Sequence, residues 1–513
     1  MKKILCFLLL FSFLSCDELL DKEPYGLYTD ADISTPKGME LLLTGVYRTM
    51  AGTDYYGLRF YLCEASKGPD FFVLRYGGGV SFIVENAYSA SARLNNNNRY
   101  LWQTIYKAIH NLTVLLEKID NVWGGDETLR RIKGEAYLLR GLCYFDLMRL
   151  FAYPPLFSIP GHNNYEELFC WGVPIVSNVT MGTNIGSYEI RRETADSTYK
   201  FIIEQFKLAE EFLEGRNAIQ NRANAATAKA LLIRAYLYLE DWNKVIEEGE
   251  AWINKYGSFY AMIPYERYTT TYYKPFNSES IWEFEYTSSD NLGVASLNYW
   301  ARKPSYNEPG ERRDGTVSQE TGYARLGLSK GATTRGYDVL TNYPDDVRSY
   351  LICQLGTFDY LSIRKYVGDP YHFVHNVPVV RLPEIYLSLA EAYAKAGNYA
   401  KATEYASIVS QARRKANTNV AASINNILDE RRRELILEGH TFWDYFRTAR
   451  NMTHRQIIES IDDATINFGT VTGAHYRVVY PIPLSELNVN PAIREQQNPG
   501  YEAWYLAIGD DDD

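Results

Sequence analysis

The chain has 513 residues and a formal net charge of −10, from 53 basic and 63 acidic residues. Its length suits two or three ordinary domains or one large helical array, and an acidic balance without a basic stripe excludes nucleic acid as a partner. Six cysteines without a C-x-x-C pair imply neither a zinc site nor a dense disulfide scaffold.

The chain opens with Met1-Lys2-Lys3, an apolar run of eleven residues from Ile4 to Leu14, then Ser15 and Cys16. A spanning helix needs about 20 apolar residues, so residues 1–15 are expected to be a lipoprotein signal peptide that is removed. Cys16 then becomes the lipid-carrying first residue, although Phe13 stands where such signals usually have Leu. Several acyl chains on one cysteine hold firmly, each buried CH₂ contributing about 0.8 kcal/mol. Loss of Lys2 and Lys3 shifts the formal charge from −10 to −12. Residues 16–37 hold too few large apolar side chains to pack alone and are expected to be a lipidated tether, with 38–513 as a single domain.

From Leu129 the apolar positions Ile132, Ala136, Leu139, Cys143, Leu147 and Leu150 recur at spacings of three and four, predicting one long helix. It ends before Tyr153-Pro154-Pro155, which cannot continue it. A preceding helix over about 101–119, with Trp102, Ile105, Ile109, Leu112 and Leu116 on one side, is its antiparallel partner. Internal similarity strengthens the pattern: Leu232 to Ile246 aligns with Leu389 to Thr403, 157 positions later (389 minus 232). Ala235 matches Ala392, Trp242 matches Tyr399 as an aromatic that caps the seam, and Gly249 matches Ala406. Small residues that let helices approach are the mark of tetratricopeptide-type hairpins. The helical repeats are expected over about 101–257 and 379–450, separated by an irregular insertion at about 258–378. Only Glu279 to Tyr286 in that insertion has a strand-like run.

Loops on a rigid scaffold are where binding residues concentrate, and tyrosine, at 43 residues, is unusually frequent. A sugar ring packs its C–H face on an aromatic ring while Asn and Arg bind its hydroxyls. Two segments offer both kinds of group. One is Tyr88, Asn96, Arg99 and Tyr100 before the first hairpin; the other is Tyr299, Trp300, Arg302 and Tyr306 in the insertion. The competing expectation for each aromatic is that it packs its loop onto the scaffold.

Three patterns that resemble active sites have plainer explanations. Glu430, Arg431, Arg432, Arg433, Glu434 and Glu438, with Asp444 and Arg447, pair at helical spacing as an ion-pair network, as in Glu430 with Arg433. Gly327-Leu-Ser-Lys-Gly331 matches a nucleophile elbow, but the polar Glu320 to Arg325 stretch is expected to leave Ser329 without the buried strand such an elbow needs. His372 and His375 lie between Pro370 and Pro378 without a further ligand at metal spacing. Neither catalytic residue, cofactor nor metal is expected, and Asp510 to Asp513 reads as a solvated tail.

Five segments in order carry a resemblance: Gly134-Glu-Ala-Tyr-Leu-Leu-Arg-Gly-Leu-Cys-Tyr-Phe-Asp-Leu-Met-Arg-Leu-Phe151, Ser280-Ile-Trp-Glu-Phe-Glu285, Val377-Pro-Val-Val-Arg-Leu-Pro-Glu-Ile-Tyr-Leu387, Asp429 to Arg447, and Tyr480-Pro-Ile-Pro483 with Gln497-Asn-Pro-Gly-Tyr501. With the lipidated start they resemble the SusD/RagB family of nutrient-binding outer-membrane lipoproteins. Thr441 departs from the arginine common in that motif, which is expected to alter a local ion pair. The acidic Asp17-Glu18 after Cys16 is similar to the start of outer-membrane lipoproteins destined for the cell surface. The resemblance implies a mostly α fold, a tetratricopeptide-like hairpin scaffold with a long β-containing insertion. It also implies a non-catalytic, lipid-anchored protein facing the cell exterior, which captures oligosaccharides and delivers them to a SusC-type TonB-dependent transporter. Peptide capture on the same architecture is the alternative, with a surface hydrolase a more distant one.

Overall fold

The computed structural model describes residues 33–73, 82, 85, 88, 90–92, 96–178, 190–215, 221–301, 310–311, 317–318, 326–328, 343–354, 361–363, 365–366, 374–416, 418–453, 470–472 and 476–501. Cys16 and the start of the tether, together with Arg302, Tyr306, Ser329 and His372, lie outside these residues, as does the side chain of Asn96.

Eleven helices carry the body among the described residues: α1 (Pro36–Ala51), α2 (Arg59–Lys67), α3 (Asn96–Lys118), α4 (Asp126–Phe151), α5 (Ala195–Leu213), α6 (Ala225–Tyr238), α7 (Trp242–Tyr256), α8 (Leu382–Lys395), α9 (Tyr399–Gln411), α10 (Ile424–Glu434) and α11 (Thr441–Arg447). Shorter helices, such as Leu297–Ala301, lie between them. Many start on a residue whose side chain caps an otherwise orphan backbone N–H: Thr35, Thr194, Asn224, Asp241, Asn398 and Ser423 each accept from the residue three positions on. The two helices of the expected first hairpin are α3 and α4, and α4 stops at the Tyr153-Pro154-Pro155 break.

The array is serial. Each of α3 to α9 packs on its predecessor, and α1 lies across α3 and α4. Glycines allow the closest approaches: a Cβ on Gly141 would stand 2.8 Å from a Phe206 ring carbon, and one on Gly249 would stand 2.6 Å from Leu389 Cδ2. The internal repeat extends to backbone geometry, because Glu240 (φ 55°) and Gly397 (φ 81°) both adopt the left-handed turn before the caps Asp241 and Asn398. The match is less regular in packing. Trp242 lies half-buried against the core, whereas Tyr399 is 62 % exposed and caps no seam.

Helix α8 stacks directly on α7 although 125 residues separate them in sequence (382 minus 257). The strands at the two ends of the insertion explain this. β2 (Ser280–Phe284) pairs antiparallel with β6 (Val377–Arg381), from Ser280 opposite Arg381 to Phe284 opposite Val377. The chain therefore re-enters the scaffold close to where it left. Within the insertion β3 (Leu326–Leu328), β4 (Ile352–Gln354) and β5 (Leu361–Ile363) join β1 (Phe71–Val73) in a four-stranded antiparallel sheet of order β1-β3-β5-β4. Thus the insertion holds more strand than its polar composition predicts. Trp282, Phe284, Leu326, Leu328 and Ile363 belong to the same hydrophobic cluster as the helices, so insertion and scaffold share one core.

Candidate functional site

The β1–β3 pairing joins Phe71–Val73, ahead of α3, to Leu326–Leu328 of the insertion. Phe82, also ahead of α3, meets Trp300 of the insertion with ring centroids 5.7 Å apart at 86°. That contact explains why Trp300 is only 7 % exposed. Tyr88 is 1 % exposed, and its hydroxyl donates to the Lys67 carbonyl, so its ring packs the loop rather than facing solvent. The asparagine run also serves the scaffold: Asn97 donates to Glu85 (3.1 Å) and Asn98 to the Pro481 carbonyl (3.1 Å).

Arg99, Tyr100 and Tyr299 remain half-buried, with side chains reaching the surface. The Arg99 and Arg59 guanidinium carbons lie 5.0 Å and 4.5 Å from the Tyr100 ring centroid. Such cation–π contacts fix a ring in place. Arg59 is itself held by Asp54 at 2.7 Å and by Asn97. Sequence reasoning missed Arg59, because it sits on α2 with no local aromatic pattern. Tyr299 is carried by the short Leu297–Ala301 helix, which Asn298 pins by donating to the Tyr366 carbonyl at 2.6 Å.

A buried ion-pair network clamps the insertion to the helices. Glu434 accepts from Arg413 (3.0 Å), Arg381 (3.1 Å) and Arg348 (3.3 Å). Glu430 accepts from Arg348 (2.8 Å), Arg414 (2.9 Å) and Arg433 (3.1 Å). Glu279, at the entry to β2, binds Arg413 (2.6 Å) and Arg381 (3.0 Å). Burial pushes the Glu434 carboxyl up, but the Arg413, Arg381 and Arg348 guanidiniums outweigh it and hold it well below the usual carboxylate range. Glu434, Glu430 and Glu279 are each closely paired with guanidiniums, the pattern of a structural ion-pair network. The helical pair Glu430–Arg433 is present as the spacing predicts, yet most partners come from the insertion and from the end of α9.

At the start of α11 the departure at Thr441 has a local counterpart. The neighbouring Phe442 N–H donates to Glu64 Oε1 at 2.6 Å, and Thr441 brings no cation there. Burial pushes the Glu64 carboxyl up to about 8, and the Phe442 N–H offsets it only in part. A raised acid contributes fully below its unfolded value near 4.5, and that contribution is lost as the pH rises towards 8. Glu64→Gln, which keeps the acceptor and removes the titration, is therefore expected to be more stable than the parent at pH 8, by about 1–3 kcal/mol. At pH 5 the two should be nearly equal. Urea unfolding at both values checks this, and a difference independent of pH would contradict it.

Other patterns resolve as follows. A buried strand does precede Ser329, contrary to expectation: Leu326 and Leu328 are 1 % and 0 % exposed in β3. It is a three-residue strand in an antiparallel sheet, which differs from the strand-to-helix setting of a nucleophile elbow. His375 packs edge-on to Tyr366, 4.8 Å between centroids. Among the described residues no group of three His, Cys, Asp or Glu is placed to hold a metal, and no helix is long and apolar enough to cross a membrane. Cys63, Cys143 and Cys170 are free thiols, the first two buried.

The fold recurs in known proteins. Residues 18–237 match the SusD-like family described as starch-binding and associating with the outer membrane, and residues 361–501 match the SusD family. A SusD-like protein, P25, from Formosa agariphila is 22 % identical over 96 % of this chain and 98 % of its own. Among solved structures, a SusD superfamily protein from Bacteroides thetaiotaomicron is 26 % identical, with a TM-score of 0.77 over 91 % of this chain and 100 % of its own. A laminarin-binding SusD-like protein shares the fold at 21 % identity, with a TM-score of 0.68 over 91 % and 100 % of the two chains. The first family match ends before the insertion and the second runs from its last part through the later helices, and on them the chain belongs to the SusD/RagB family.

Proposed function

We propose that this protein is a cell-surface glycan-binding lipoprotein, anchored through lipid on Cys16, that captures an oligosaccharide and hands it to a SusC-type TonB-dependent transporter. The observation that carries the reading is that Arg99 and Tyr100, at the start of α3, and Tyr299, in the insertion, stay half-buried while Phe82 ahead of α3 packs on Trp300 beside Tyr299. Guanidinium donors beside aromatic faces suit hydroxyls and C–H faces of a sugar ring. The family's starch-binding, outer-membrane description supports the same reading, and the protein has no catalytic role in it. Trp300 and Tyr88 act in this account by packing the loops, with Arg99, Tyr100 and Tyr299 in contact with ligand.

Affinity electrophoresis in gels containing neutral polysaccharides tests the assignment. Tyr299→Ala and Tyr100→Ala are each expected to weaken retention about tenfold, the equivalent of roughly 1.4 kcal/mol, with unchanged thermal unfolding. Retention equal to the parent in both variants would refute these contact residues. Copurification of mixed peptides, with no retention by any polysaccharide, would instead favour the peptide-binding reading.

A further inference from the structure

Helices α2, α4 and α11 meet the C-terminal Val478 to Tyr480 segment without closing fully on one another. They leave a cavity of about 10 Å³ walled in part by Glu64, Lys67 and Arg149, and a single water molecule needs about 10–15 Å³. The three residues are 2 %, 3 % and 4 % exposed, so bulk solvent does not serve them. We propose that this cavity is the binding site of one structural water, held at once by Glu64, Lys67 and Arg149.

Hydrogen bonding among the described residues leaves each of the three with unused capacity. Arg149 donates through Nη1 to the Gly439 carbonyl (3.0 Å) and through Nη2 to Asp146, but its Nε has no partner. Three rings pin it in that position: its guanidinium carbon lies 4.4 Å from the Trp443 ring centroid and 4.9 Å from those of Phe60 and Phe145. Lys67 Nζ has three protons and one hydrogen bond, to the Val478 carbonyl (3.1 Å), while the Tyr480 ring centroid stands 3.7 Å away. Glu64 Oε1 accepts from the Phe442 N–H (2.6 Å), and Oε2 has no such donor. Polar groups this deep cost stability unless they are partnered, and a buried water typically makes about three hydrogen bonds to such groups.

Water is the occupant that suits this set. It offers lone pairs to the Lys67 and Arg149 N–H groups and a proton to the Glu64 carboxylate. Burial pushes the Glu64 carboxyl up to about 8, so the acid form is populated as well, and the same molecule accepts from that form by turning. A metal cation would face an ammonium and a guanidinium, and a halide would face the carboxylate form; neither can reverse its role. Glu64→Gln, which keeps an oxygen at this position, is expected to keep the water.

The test is a crystal structure at atomic resolution of the full mature chain, non-lipidated, from crystals grown in chloride and in bromide, beside the Lys67→Met variant. One oxygen peak is expected within about 3.2 Å of Lys67 Nζ, Arg149 Nε and a Glu64 oxygen, with no anomalous signal in bromide. In Lys67→Met, which removes a donor, that peak is expected to be lost. Absence of the peak from the parent would refute the site, and an anomalous peak in bromide would replace water by an anion. A peak kept in Lys67→Met would remove Lys67 from the proposal and overturn the three-point site. Should Lys67→Met fail to fold, the density of the parent in the two salts decides between these outcomes.

Discussion

Glu434→Gln is expected to destabilise the protein by about 3–5 kcal/mol, the range for removing one partner from a buried ion pair. The side chain keeps its shape, but three guanidiniums that converge on it, Arg348, Arg381 and Arg413, lose their shared countercharge in an interior where they cannot recover water. Arg348 belongs to the insertion, Arg381 ends β6 where the chain leaves it, and Arg413 follows α9, so the loss also loosens the clamp that seats the insertion on the scaffold. Exposed pairs behave differently. Glu214 sits 2.6 Å from Lys255 but is 57 % exposed, and Glu214→Gln is expected to leave stability unchanged within error. Urea unfolding of both variants makes the comparison. A Glu434→Gln protein as stable as its parent would show that the network is not what holds the insertion in place.

Loss of membrane attachment is the second large effect expected. In Cys16→Ser the residue proposed to carry lipid is gone, and with it the proposed anchor, in which each buried CH₂ would contribute about 0.8 kcal/mol. The folded body has among its described residues no helix to replace it. The variant is expected to appear wholly in the soluble fraction, to bind glycan like the parent, and to fail to support uptake. Fractionation of cells with immunodetection, beside growth on the glycan, reads both. Surface attachment and uptake that persist in Cys16→Ser would remove the anchor from this account.

Helix positions were legible because apolar spacing is a local property: the run from Leu129 to Leu150 predicts α4 within a few residues of its observed ends. The caps Asp241 and Asn398 were likewise implicit in the repeat, since a hairpin turn imposes similar backbone angles wherever it recurs. The short strands were not legible. β3, β4 and β5 are three residues each, too short for alternation to be distinguished from chance; β3 pairs with β1, more than 250 residues earlier (326 minus 73), and β5 lies between β3 and β4. For the same reason the network was read only through its helical pair Glu430–Arg433, while Arg348, Arg381 and Arg413 reach it through tertiary structure.

At the candidate ligand face the sequence did not separate side chains that pack from those left half-buried. Tyr88 and Tyr100 look alike in composition and surroundings, yet one is 1 % exposed under the loop and the other is half-buried beneath Arg59 and Arg99. Burial of an aromatic depends on what folds over it, here Phe82 on Trp300 and the Lys67 carbonyl on Tyr88.

The most direct test of the central claim is to probe the purified, non-lipidated chain on an array of plant, algal and microbial polysaccharides and oligosaccharides, beside its Tyr299→Ala variant. The account predicts binding to at least one neutral glycan, weakened in the variant. Absence of binding to every neutral glycan on the array, by a chain with a cooperative thermal transition, would contradict it.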